Sequence, residues 1–203
     1  MLEIGILGST RGSDLPSIVE SINKGKLKGI VNIAVLISDK KNSGILKRAK
    51  DYNIKNYYLS SEGKEREDYD KDIAGILDKH NVGLITLIGY MRLFSNWFVN
   101  KYKNKIMNIH PSLLPSFPGM DRNVHKEVLD YGCQVSGCTL FFVDEGKDTG
   151  PIIMQKAVPV YEKDNIDSLK ARVQKAEQEI YPESIRLYAL RKLKIKGRKV
   201  IIK

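Results

Sequence analysis

The chain has 203 residues, with 34 Lys plus Arg against 24 Asp plus Glu and a formal net charge of +10. A globular chain of this length buries roughly 70% of its unfolded surface and needs no disulfide or metal staple; no window approaches the roughly 18 apolar residues of a membrane span. The basic surplus draws anions such as phosphorylated metabolites, polyglutamated cofactors or nucleic acid. The lysines are scattered rather than gathered into a stripe, which favours a solvated surface with one local anion site.

The opening M-L-E-I-G-I-L-G-S has no basic region ahead of its apolar run. It reads as a first strand over residues 2–8 and not as a signal peptide, so the expected compartment is the cytoplasm. Leu15, Ile18, Val19 and Ile22 then recur at helical spacing. Val31–Ser38 reads as a strand, Gly44–Tyr52 as a helix, and Tyr57–Leu59 as a short strand. A charged helix is predicted from Arg66 to His80, an apolar strand within Val82–Gly89, and a further strand over Lys105–His110. This alternation predicts an α/β fold: an open, mostly parallel, twisted Rossmann-like sheet flanked by helices, with right-handed crossovers.

The second half changes character. Pro111–Gly119 carries three prolines and a glycine and reads as a loop. Val135–Val143 and Ile152–Val160 read as two more strands, separated by a polar turn. An amphipathic helix carrying Ile166, Leu169, Val173, Ala176 and Ile180 is predicted to end near Pro182, with another helix over Glu183–Arg191. The basic tail is either an edge strand or frayed. Cys133 and Cys138 have no second Cys or His pair nearby and read as reduced thiols, with no metal site.

Three segments carry candidate chemistry. Gly8–Asp14 joins the first strand to the first helix, where glycines permit a tight turn and the helix N-terminus offers free N–H groups to an anion. It is neither G-x-G-x-x-G nor a Walker loop, so a phosphate site and a simple turn capped by Ser13 or Asp14 both remain open. In N-I-H-P-S-L-L-P, Asn108 and His110 stand two residues apart and share one face of a strand. At the carboxyl end of a parallel strand, an amide and an imidazole suit acyl transfer: one holds an oxyanion while the other moves a proton. The bland alternative is a satisfied core pair. In D-E-G-K-D-T-G-P, the turn carboxylates either bond local backbone or give Asp148 the task of orienting and charging His110.

N-I-H-P-S-L-L-P followed by D-E-G-K-D-T-G-P-I-I resembles the folate-dependent formyltransferases, and most of all their single-domain ribonucleotide branch. G-S-T-R-G-S, I-G-Y-M-R-L-F and A-R-V-Q-K-A-E-Q-E-I-Y-P extend the likeness nearly end to end. The resemblance implies the formyltransferase fold as one domain over 1–203, with a ribonucleotide-binding half to about residue 100 and a catalytic, folate-binding half after it. It also implies transfer of the formyl group of 10-formyltetrahydrofolate, as co-substrate, to the amine of glycinamide ribonucleotide in purine biosynthesis. Asn108, His110 and Asp148 would be catalytic. Gly12, Ser13 and Asp14 would bind the substrate phosphate, with Gln174 and Glu177 toward the rest of the ribonucleotide. Folate would meet Arg66, Tyr90, Met91, Arg92, Leu93, Asn108 and Asp144. The implied partners are these small molecules, not nucleic acid or membrane, with the chain a monomer or homodimer and no metal. Bland alternatives remain for Tyr90 and Leu93 as core, Arg66 as an exposed helix charge, and Glu177 as a solvated face residue.

Three departures from the family pattern stand out. Asp14 replaces a common asparagine, Phe141 replaces a common histidine, and Met120–Val128 is about two residues longer than in some relatives, with His125 expected on a helix surface. Among rivals, methionyl-tRNA formyltransferase adds an RNA-binding domain for which the roughly 50 residues after Asp148 leave no room. The folate hydrolase places a regulatory domain ahead of its catalytic part, whereas here the catalytic pattern begins at residue 1. A basic, non-catalytic nucleotide- or nucleic-acid-binding module is the reading from another class; it would bind in a salt-dependent way without turnover.

Overall fold

A computed structural model describes residues 1–119 and 123–203. It divides into two compact units, Met1–Asn108 and Ile109–Lys203. The first contains β1 (Leu2–Leu7), α1 (Leu15–Lys24), β2 (Val31–Ser38), α2 (Gly44–Asp51), β3 (Asn56–Tyr58), α3 (Arg66–Lys79), β4 (Leu84–Leu87) and α4 (Asn96–Lys101). Strand β5 (Ile106–His110) crosses the unit boundary. The strand order is β3-β2-β1-β4-β5, with every pairing parallel. All four residues of β4 are buried, as a strand covered by helices on both faces requires.

This order places a topological switch point between β1 and β4, which pair from Ile4↔Leu84 to Leu7↔Leu87. In open α/β sheets, ligands bind beyond the carboxyl ends of the strands at such a point. The segments following β1 and β4 are Gly8–Asp14 and Ile88–Leu93, two of the stretches singled out in the sequence.

The second unit contains α5 (Val124–Asp130), β6 (Val135–Phe142), β7 (Ile152–Pro159), α6 (Ile166–Ala189), β8 (Leu193–Lys196) and β9 (Lys199–Ile202). β6 and β7 are antiparallel, β7 pairs with β9 in parallel, and β8 closes an antiparallel hairpin with β9. Helix α6 packs on β6 and β7. The expected α/β class, a mostly parallel sheet flanked by helices, is realised.

Several elements differ from expectation. The late helix does not stop at Pro182; α6 runs through it to Ala189. An internal proline costs about 3 kcal/mol in a helix. Here Ile180, Tyr181, Ile185 and Leu187 are all buried. Burial of each such side chain contributes about 1.5–3 kcal/mol, so packing outweighs the break. Asn165 and Ser168 form a reciprocal capping box that fixes where α6 begins. The tail is the β8–β9 hairpin. Helix α4, for which no expectation was formed, is capped by the Ser95 side chain, which accepts from Phe98 N at 3.3 Å. His125 is buried in α5, not placed on its surface. The expected extension at Met120–Val128 begins in residues outside those described.

Candidate active site

In the first unit, the β1–α1 turn requires a glycine. Gly12 has φ +70°, where a side chain is strained, and an added Cβ would come within 2.6 Å of Ile45. Pro16 lies in the first turn of α1, where a missing N–H costs nothing. Asp14 occupies the N-cap position and is buried, but its side chain makes no capping bond. The capped-turn alternative is therefore not realised through Asp14.

This turn is bonded to the segment after β4. Ser9 N donates to Gly89 O at 3.0 Å, and Met91 N donates to Ser9 Oγ at 2.9 Å. Tyr90 stacks on Phe94 and Phe94 on Phe98, with ring centroids 5.3 and 4.5 Å apart. Arg92 donates to Ser61 Oγ at 2.9 Å, and its guanidinium lies 4.7 Å from the centre of the Tyr69 ring. Burial pushes the Tyr69 hydroxyl up to about 12 and the Tyr90 hydroxyl well above its ordinary value. Leu93 is 59% exposed, so it is not core. Arg66 is exposed at the first position of α3.

Asn108 is half-buried near the end of β5, and His110 ends that strand fully covered. In the second unit, His110 Nε2 lies 2.7 Å from Phe117 O. A carbonyl only accepts, so Nε2 carries the proton in this contact. The other nitrogen, Nδ1, faces Asp148 Oδ2 at 3.7 Å. That oxygen also accepts from Gly119 N at 2.9 Å. The loop after β5 therefore touches the imidazole through Phe117 and its carboxylate neighbour through Gly119.

Asp148 adopts φ +55°, a left-handed conformation that Asp tolerates better than most residues. The surrounding turn is shaped by Asp144, whose Oδ1 accepts from Gly146 N at 3.1 Å and from Thr149 Oγ1 at 2.7 Å. Gly150 is a close-approach position, where an added Cβ would sit 1.7 Å from Phe142 O. Asp144 thus organises the turn while Asp148 points at histidine.

On α6, Gln174 is half-buried and Glu177 is 6% exposed one turn on, on the same side of the helix. Glu177 is not a solvated face residue. Phe141 is buried in β6. Sequence reading missed the hydroxyl of Thr139 and the amide of Gln155, which bind the loop after β5; their partners lie 16 to 41 residues away, a range no local pattern records. Among the described residues, no group of three or more His, Cys, Asp or Glu could hold a metal ion, and no helix is long and apolar enough to cross a membrane.

A histidine that ends a parallel strand and faces a turn carboxylate, with an asparagine two residues earlier on the same strand, supplies the parts of an acyl-transfer enzyme. Residues 2–185 match the formyl transferase family, and the chain belongs to it. It is 36% identical over 195 residues to the phosphoribosylglycinamide formyltransferase of Escherichia coli, covering 96% of this chain and 90% of that one. It is 39% identical over 187 residues to the trifunctional purine biosynthetic protein adenosine-3 of Chironomus tentans, covering 92% of this chain but only 14% of that protein's length. The crystal structure of glycinamide ribonucleotide transformylase 1 from Symbiobacterium toebii superposes with a TM-score of 0.94 at 39% identity, covering 100% of this chain and 94% of that one.

Proposed function

We propose that this chain transfers the formyl group of 10-formyltetrahydrofolate to the amine of glycinamide ribonucleotide, yielding N-formylglycinamide ribonucleotide and tetrahydrofolate. The observation that carries this reading is the His110–Asp148 contact at 3.7 Å, beside a strand that also bears Asn108. Likeness to the E. coli phosphoribosylglycinamide formyltransferase over 90% of its length supports the choice of acceptor.

In this reading, the substrate amine attacks the formyl carbon, forming a C–N bond and a tetrahedral intermediate. The Asn108 amide donates to the intermediate's oxygen, an interaction typically worth about 3–4 kcal/mol of barrier. His110 enters the ternary complex protonated, and Asp148 holds it in place. The bond from carbon to the folate nitrogen then breaks, and the proton lost by the amine reaches that nitrogen through His110. Proton transfer of this kind contributes about 10²–10⁴-fold.

Backbone N–H groups at Gly12, Ser13 and Asp14 take the substrate phosphate, with Gln174 and Glu177 serving the remainder of the ribonucleotide. Folate engages Tyr90, Met91, Arg92, Leu93, Asn108 and Asp144, with Arg66 toward its glutamate tail. The chain works as one domain, its first hundred or so residues serving the ribonucleotide. It acts in the cytoplasm as a monomer or homodimer on small molecules alone, without metal, nucleic acid or membrane.

The test is spectrophotometric release of tetrahydrofolate from 10-formyltetrahydrofolate, with and without glycinamide ribonucleotide. Rapid release only with the ribonucleotide, abolished in Asn108→Ala and His110→Ala, supports the reading. Equal release without it points to hydrolysis. No release in either arm overturns the assignment, and charged initiator tRNA becomes the next acceptor to try.

A further inference from the structure

The loop that contacts both His110 and Asp148 has no regular secondary structure, so something else must hold it. A buried hydroxyl is central to that anchor, with a glutamine amide beside it. Thr139 is fully buried on β6. Its Oγ1 donates to Ser112 O at 2.7 Å and accepts from Leu114 N at 3.0 Å and from Gln155 Nε2 at 2.9 Å. One proton given and two received exhaust a threonine hydroxyl's bonding capacity. Gln155, paired with Thr139 across the β6–β7 ladder, also donates to Leu114 O at 3.0 Å. The polarity of the set is forced, because every backbone carbonyl in it only accepts and every backbone N–H only donates.

From this anchor, a short path leads to the imidazole. Ser112, whose carbonyl Thr139 holds, turns its own Oγ to Ser116 O at 2.5 Å and to Phe117 O at 3.4 Å. Phe117 O is the acceptor for His110 Nε2. Two residues on, Gly119 N holds the Asp148 carboxylate. Gln155 stands at an exposed register position, where water can replace its amide. Thr139 is fully buried, and its hydroxyl makes three of the four bonds in the set. Control of the loop therefore rests mainly on the threonine.

We infer that Thr139 is a positioning residue for the reaction. Through Ser112 and Phe117, its hydroxyl holds in place the acceptor for the His110 Nε2 proton, and with it how the ring meets Asp148. It does not touch the reacting atoms. This inference rests on the acyl-transfer reading of His110 and Asp148, but not on the identity of the acceptor.

Thr139→Val keeps the shape and leaves Ser112 O and Leu114 N without their buried partner. Thr139→Ser keeps the hydroxyl. In the formyl-transfer assay, kcat should fall about 10- to 100-fold in Thr139→Val, the scale expected of a catalytic group displaced by an ångström. KM for both substrates should stay within about threefold, the pH profile of kcat should shift, and Thr139→Ser should restore both. Raised KM with unchanged kcat, or a folded Thr139→Ser as impaired as the valine variant, overturns the inference.

A second readout separates this failure from a wrong acceptor. In nitrogen NMR of the three ring systems, with His110 assigned by its loss in His110→Asn, the wild type should show a hydrogen-bonded proton on His110 Nε2. Thr139→Val should lose it and Thr139→Ser should keep it. If the Nε2 proton is unchanged in a folded Thr139→Val protein, the inference fails whatever the enzyme's acceptor is. If it is lost in that variant while the wild type shows no turnover with glycinamide ribonucleotide, the inference stands and only the acceptor is wrong.

Discussion

Asp148 Oδ2 serves two partners at once: it lies 3.7 Å from His110 Nδ1 and accepts from Gly119 N at 2.9 Å. A carboxylate that organises both a loop and an imidazole separates these tasks on mutation. Asp148→Asn retains an oxygen for the Gly119 N–H but loses the charge opposite the imidazole. Formyl transfer should fall about 10²-fold or more while the thermal midpoint changes little. Asp148→Ala should lose activity and lower the midpoint as well. Steady-state kinetics beside thermal denaturation of both variants checks this, and an asparagine variant within threefold of wild type would remove Asp148 from the chemistry.

Ser9 links the turn after β1 to the segment after β4, giving one hydrogen bond and accepting another. Ser9→Ala strands the half-buried Met91 N–H, at a cost toward the low end of the roughly 1–3 kcal/mol of a buried donor. Because the two segments serve different substrates in the proposed reaction, KM for both should rise about 5- to 10-fold together, a change of roughly 1–1.4 kcal/mol. The kcat should move less. A rise in only one KM would show that the bond does not register the two segments against each other.

How much of this was readable beforehand depends on the range of the interaction. Val31–Ser38 was legible because its apolar residues, interrupted before Ser38 only by the exposed Asn32, suit a largely covered parallel strand. Asn108 and His110 were legible because strand alternation and two prolines act within seven residues of Asn108. The continuous α6 was not, because Pro182 argues locally for a break and only the buried Ile185 and Leu187 beyond it argue otherwise. Helix α4 is six residues long, too short for a helical period to emerge. The meeting of Asp148 with His110 depends on a left-handed backbone at Asp148 and on the fold of the intervening chain. Thr139 looked like one more residue of an apolar strand.

Asp70 is buried, and its Oδ2 accepts from Ser95 N at 2.6 Å. Burial raises its pKa, opposed by the Ser95 bonds and by the Arg92 charge. A raised folded value means that Asp70's contribution to stability is greatest below the unfolded carboxyl pKa of about 4 and declines as pH rises through the folded value. Asp70→Asn keeps an acceptor for Ser95 and removes the buried charge. From about pH 4 to pH 7, the variant should gain stability relative to wild type. Asp70→Ala should lose about 1–3 kcal/mol at pH 7 by stranding the Ser95 N–H. Thermal denaturation across this range is the check; a pH-independent difference between wild type and Asp70→Asn contradicts the assignment.

Asp164 should show the opposite sign. Its carboxylate accepts from Arg172 Nη1 at 2.6 Å and Nη2 at 2.8 Å, from Tyr161 N at 2.8 Å and from Ser168 Oγ at 2.7 Å. The bidentate arginine, aided by the Tyr161 amide, holds its pKa well below the usual carboxylate range. The Arg172 guanidinium also lies 4.4 Å from the centre of the Tyr161 ring and donates to Pro159 O at 2.9 Å, joining the end of β7 to the first turns of α6. A depressed folded value contributes stability that is fully present above the unfolded pKa of about 4 and is lost as pH falls through the folded value. Asp164→Asn should therefore be less stable than wild type at pH 7. That gap should close as pH falls below about 4, as the wild-type carboxylate takes up its proton. Denaturant titrations at pH 7 and through the acid range measure both ends, and a gap that persists at the lowest pH would assign the effect to packing of the Asp164 side chain and not to its charge.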